Sequence, residues 1–141
     1  MTNHKADARA NPAIELSSPP GMFKGPTYEH AARAGDFIFV AGQVAKDEKG
    51  ELVAPNDAAG QAKVVFDHLG KVLAHAGATP QDIVMMNTYL TDRADSKIVT
   101  EERFRFLGDH RPPHTGVIIA GLGAPEVKLE VEVVAYAPRK S

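Results

Sequence analysis

Between Asp57 and Gly77 the apolar residues Ala62, Val65, Phe66, Leu69, Val72, Leu73 and Ala76 recur at helical spacing. That pattern puts them on one stripe of a helix, with Asp57 suited to cap its start and Gly77 to stop its end. Elsewhere the pattern shortens to β-branched and aromatic runs. His30–Ala34 and Phe37–Ala41 flank Gly35-Asp36 and predict a hairpin with a tight turn. A strand is predicted at about Ile83–Leu90, after Thr79-Pro80, and a second, less regular helix at about Asp95–Leu107. Two further runs, from His114 through Leu122 and from Leu129 to Tyr136, read as strands paired with each other across Gly121-Leu122-Gly123-Ala124-Pro125. Residues 1–19 carry no period and read as a flexible N-terminal arm ending in the turn residues Ser17-Ser18-Pro19-Pro20, leaving residues 20–141 as a single domain.

The order is strand, strand, helix, strand, helix, strand, strand. With both helices on one face of a mixed sheet, this is an α+β two-layer domain. The runs at 37–41, 83–90 and 117–119 are apolar on both faces in places, so the other sheet face also needs cover. The two helices cannot supply it, and the simplest cover is another copy of the chain. A homo-oligomer is expected.

Composition narrows the chemistry. The chain has 141 residues, no cysteine and a formal net charge of -2. A thiolate nucleophile, a disulfide and a cysteine-based zinc site are excluded. The acidic balance argues against a nucleic-acid partner, since that affinity comes from clustered Lys and Arg. No apolar run suits a membrane span and no signal-peptide core opens the chain, so a cytoplasmic location and no membrane partner are expected. His110 and His114 have the spacing of helical metal motifs, but Pro112-Pro113 between them forbids the helix, and no metal site is expected.

Several short motifs fall in one order: Gly25-Pro26 followed by Tyr28, Ala41-Gly42-Gln43 at a strand end, Gln61 in the first helix, Ala76-Gly77 then Asp82-Ile83-Val84, Pro112-Pro113 before a strand, and Glu130-Val131-Glu132. In these the chain resembles the YjgF/RidA family of reactive intermediate deaminases over roughly residues 20–138. The resemblance implies a chorismate-mutase-like fold, a homotrimer, and small-molecule clefts between adjacent subunits. For the deaminase branch it implies hydrolysis of an enamine or imine to a keto acid and ammonia, without a cofactor. It also implies an arginine at the start of the penultimate strand gripping the substrate carboxylate, and a glutamate at the start of the last strand handling water.

The chain departs from that pattern where the substrate would be gripped. His114 stands in place of the arginine, Gly116 in place of a cysteine found in many members, and Thr100 in place of an asparagine in the second helix. Arginine binds a carboxylate through a charged planar fork, whereas histidine near pH 7 is mostly neutral with one donor. The expected catalytic residues are Glu130 and His114, with Tyr28, Gly42, Thr100 and Gly116 binding substrate. On their residues alone each has a plainer reading: His114 as a strand-start side chain bonded to backbone, Glu130 and Glu132 as a solvated edge, Tyr28 as interface packing. Arg111, across the extended Pro-Pro, and Arg105, as a solvated helix residue, are poor replacements for the clamp. The expected function is small-metabolite binding with C=N hydrolysis on a substrate other than a simple 2-imino acid. The alternative is a non-catalytic ligand-binding or chaperone-like trimer. A ribonuclease role, also attributed to family members, fits the charge poorly.

Overall fold

The computed structural model describes residues 11–140. One six-stranded sheet carries the fold: β1 (Ile14–Ser17), β2 (Ala31–Ala34), β3 (Phe37–Gln43), β4 (Ile83–Leu90), β5 (His114–Ile118) and β6 (Leu129–Tyr136), in the order β1-β2-β3-β6-β4-β5. All neighbours are antiparallel except β4 and β5. The helices α1 (Ala58–Ala76) and α2 (Ser96–Leu107) follow β3 and β4.

α1 has the caps its sequence suggests. The Asp57 carboxylate accepts the Gly60 N–H at 3.1 Å, and Gly77 takes the left-handed conformation at φ 97°. Its stripe of Val65, Phe66, Leu69, Val72 and Leu73 is buried against Ile38, Val40, Ile83, Met86, Val131 and Val133 of the sheet. The buried Arg33 of β2 donates to Ala76 O at the helix C-terminus and to Ala137 O, each at 2.9 Å. A cation there meets the negative end of the helix dipole. Gln61, fully buried, donates to Ala54 O at 3.0 Å and Glu126 O at 2.8 Å, and accepts from Lys128 N at 2.8 Å. One side chain of α1 thereby fixes the approach to β6.

Two expectations fail. The last two strands are not partners: β6 lies between β3 and β4, and β5 lies beyond β4, parallel to it. A parallel neighbour requires a crossover, which α2 provides between β4 and β5. The Gly121–Pro125 stretch therefore carries the chain back past β4 instead of closing a hairpin. The arm assigned to residues 1–19 is also too long: Ile14–Ser17 pairs with Ala31–Ala34 as an edge strand. Its residues are mostly exposed, so the run lacks the buried alternation that marks a strand in sequence. Residues 1–10 of the arm lie outside the described residues.

Side chains alternate cleanly across the central strands. The face away from the helices presents Leu16, Phe37, Phe39 and Tyr136, 54%, 43%, 48% and 44% exposed. Phe37 and Tyr136 pack edge to face at 5.1 Å.

Candidate functional site

The expected site residues fall into two groups, and the sheet separates them. Glu130 alternates with the buried Leu129 and Val131 and so projects from the face away from the helices. The end of β3 brings Gly42 beneath it, where a bulge between Val40 and Gln43 shifts the register. A Cβ on Gly42 would overlap the Glu130 carboxylate and lie 2.8 Å from its Cγ. Glycine is required here because the glutamate occupies the space. Tyr28 lines a small cleft with Gly42 and Lys46, its ring 6.4 Å from that of His30 and more than half exposed. His30 itself is buried, its ring within hydrogen-bonding distance of Phe23 O at 2.9 Å and of the Gln43 amide at 3.0 Å.

The Glu130 carboxyl titrates above its ordinary range of about 4.5. Burial is the main cause, the neighbouring Glu132 adds to it, and Lys46 opposes it. Glu132 accepts from the Tyr89 hydroxyl at 2.5 Å and from Asn87 at 3.1 Å, and this bond raises the tyrosine. The two carboxylates share a face as alternation predicts; Glu132 lines a cavity of 610 Å³ with Tyr28 and Asn87, whereas Glu130 packs over Gly42.

The second group lies between β5 and α2. His114, Gly116 and Thr100 line a cavity of 240 Å³ with Thr88, Ser96 and Arg103. His114 is in register with the buried Met86, and its Nε2 lies 3.0 Å from the Thr88 hydroxyl, on the helix side of the sheet. A Cβ on Gly116 would sit 3.0 Å from the His114 ring, so the glycine lets the imidazole lie over the strand. β5 is two strands from β6, about 10 Å at the usual spacing, and the two groups face opposite sides. Within one chain Glu130 cannot reach the cavity that holds His114.

Sequence reasoning missed Arg103. Its guanidinium Nη1 lies 2.6 Å from His114 Nε2 and 2.9 Å from Nδ1. The signal was helical spacing: Arg103 is three residues after Thr100, on the same face of α2. Arg111 does not enter the cavity; it stacks 4.0 Å from the Phe104 ring and donates to Gly108 O at 2.5 Å. Arg105 is exposed but paired with the buried Glu102. His68 is partly buried and lies 2.7 Å from Lys46 O, because α1 rests there on the loop after β3. Among the described residues no cluster of three or more His, Asp or Glu is placed to hold a metal ion, and no helix is long and apolar enough to cross a membrane.

A family model described as Endoribonuclease L-PSP matches residues 24–137. A RutC family protein of Pyrococcus abyssi is 36% identical over 110 residues, 77% of this chain and 85% of that one. The chain belongs to the YjgF/RidA family. TdcF of Escherichia coli, named as a candidate reactive intermediate deaminase, is 30% identical over 86% of this chain and 94% of its own. RidA from an Antarctic Psychrobacter superposes with a TM-score of 0.80 at 26% identity, covering 86% of this chain and 98% of that one. The mixed sheet with two helices on one face is therefore the α+β fold of the YjgF/RidA family, as the sequence implied.

Proposed function

We propose that the protein is an imine or enamine deaminase that works as a cytoplasmic homotrimer, with each site built from two chains. One subunit supplies Tyr28, Gly42 and Glu130, and its neighbour supplies Thr100, His114 and Gly116. The observation that carries this reading is the separation of the expected site residues into two half-sites on opposite sheet faces. Neither half is a complete site, and an adjacent copy would complete both. The apolar face of Leu16, Phe37, Phe39 and Tyr136 supports the same assembly, since a monomer seldom leaves such a surface in water. Membership of a family that includes a relative named 3-aminoacrylate deaminase, RutC of Acinetobacter baylyi, 28% identical over 77% of this chain and 86% of its own, supports the reaction class.

The chemistry needs a base and a way to orient the substrate. The carbon of a C=N bond is already electrophilic, so no cofactor is required. Glu130, lifted by burial toward neutrality, takes a proton from water as the oxygen attacks that carbon. It returns the proton to nitrogen to give the carbinolamine, then carries the hydroxyl proton to the amine as the C–N bond breaks, releasing ammonia and a carbonyl product. Gly42 makes room for the Glu130 carboxylate, Tyr28 offers a hydroxyl, and His114 offers one N–H. Because position 114 is histidine, a substrate carboxylate is not gripped at the start of β5 by an arginine as in the deaminase branch.

Imines generated by an amino-acid oxidase, with semicarbazide trapping what survives, test the reading. Wild type should speed imine loss, and Glu130→Gln should slow it about 10²- to 10⁴-fold, the usual worth of a positioned general base. Unchanged trapping with wild type across the imine panel would contradict the deaminase assignment and leave a ligand-binding trimer.

A further inference from the structure

Within one chain, the cavity between α2 and β5 holds a cation that has no counter-ion among the described residues. Arg103 forms no ion pair among the described residues, whereas Arg105 two positions on is paired with Glu102. No acidic side chain lines the cavity; Arg93 adds a second guanidinium, and Thr88, Ser96 and Thr100 add hydroxyls. Arg103 is half-buried, and its guanidinium is held below its ordinary range by burial first and by the nearby Arg111 second. Burying an uncompensated charge costs free energy unless something pairs with it.

His114 cannot be that counter-ion, but it can aim the fork. Arginine only donates hydrogen bonds, so the imidazole nitrogen it meets must be an unprotonated acceptor. The His114 ring is accordingly held below its ordinary 6.5, by burial and then by Arg103. Gly116 leaves the space in which this ring lies over the strand. The three residues work together: the glycine admits the ring, the ring accepts from Arg103, and the remaining guanidinium donors stay free for a ligand.

We propose that Arg103, reaching from α2, is the specificity-determining cation of this site and grips the carboxylate of a compact monoanionic ligand. This rests on the small-molecule site proposed above and narrows its substrate class to acids. The cavity volume of 240 Å³ suits a ligand of a few carbons, and the planar fork matches a carboxylate. The charge that the family resemblance places at the start of β5 is thus moved to the neighbouring helix, with His114 as its positioning residue.

Propanoate and its uncharged isostere propanamide, titrated at millimolar concentration while the His114 ring signals are followed by NMR, test the assignment on the intact oligomer. Propanoate should bind wild type at least roughly tenfold more tightly than propanamide. Arg103→Met should weaken propanoate by roughly ten- to a hundredfold, the worth of a hydrogen bond to a charged group. Arg103→Lys should recover part of that loss, and Arg105→Met should bind as wild type does. Equal binding of acid and amide, undiminished binding by Arg103→Met, or no propanoate binding by wild type would overturn the proposal. Tighter binding of inorganic phosphate than of propanoate would overturn the carboxylate assignment. The imine assay separates the two claims. Active wild type with Arg103-independent propanoate binding loses the clamp alone, and inactive wild type with Arg103-dependent binding loses the deaminase alone.

Discussion

Glu130 and Glu132 differ in what they face, and their chemistry follows from that. Glu132 is engaged by Tyr89 and Asn87, while Glu130 stands over Gly42 with its carboxyl raised above 4.5 by burial and by its neighbour. A base must be deprotonated to act, so imine hydrolysis should fall on acidification, with a limb above 4.5. Glu132→Gln should move that limb to lower pH by removing the like charge, and a pH–rate profile reads both. Stability runs the other way. A raised carboxyl binds its proton more tightly when folded, so wild type should lose stability relative to Glu130→Gln as pH rises through that window. The two should have equal denaturant midpoints below about 4 and diverge by neutrality. Gly42→Ala should push Glu130 aside and lower kcat/KM by roughly a hundredfold, within the range of a mispositioned base, while leaving the fold intact by circular dichroism. His114→Arg should fail to improve activity, because the new guanidinium would crowd Arg103. His114 and Glu130 stood out as chemical side chains at strand ends, and Tyr28 and Gly42 only through the family motifs. Arg103 was not, because an arginine on a helix face looks like any solvated arginine until the strand beside it is known.

At the scale of elements, local signals were enough wherever one element decides its own fate. α1 announces itself through Asp57, Gly77 and an unbroken apolar stripe, and the hairpin around Gly35-Asp36 needs no distant partner. Strand neighbours are a different matter. Nothing in Leu129–Tyr136 says that β6 enters between β3 and β4, since its alternating apolar face fits beside either. What fixes its entry is a contact across the chain, the buried Gln61 amide bonding Ala54, Glu126 and Lys128. Gln61→Leu would leave the Lys128 N–H without its acceptor, while Ala54 O and Glu126 O would keep the Asp57 and Asn56 N–H groups, at about 1–3 kcal/mol for the orphaned donor. The variant should unfold at lower denaturant by about 2 kcal/mol overall and lose activity with it, as the approach to Glu130 loosens. Asp57→Ala, which removes only the helix cap, should cost about 1 kcal/mol and leave kcat unchanged.

For the whole molecule, the sheet has one face filled by helices and one face of aromatic and aliphatic side chains left open. The sequence showed that imbalance through strands apolar on both faces, without saying how many copies would correct it. Phe39, 48% exposed on a single chain, should be buried in the assembly. Phe39→Glu should give monomers by native mass spectrometry and abolish imine hydrolysis, although neither half-site is touched. The central claim, that one site draws on two chains, is tested most directly by co-expressing Glu130→Gln with Arg103→Met under separate tags and isolating mixed oligomers. With sites shared between adjacent subunits, about one third of the interfaces in a mixed trimer pair two intact halves, and imine hydrolysis should return to about that fraction of wild type. Mixed oligomers no more active than either parent would show that each chain holds its own site, and would contradict the account.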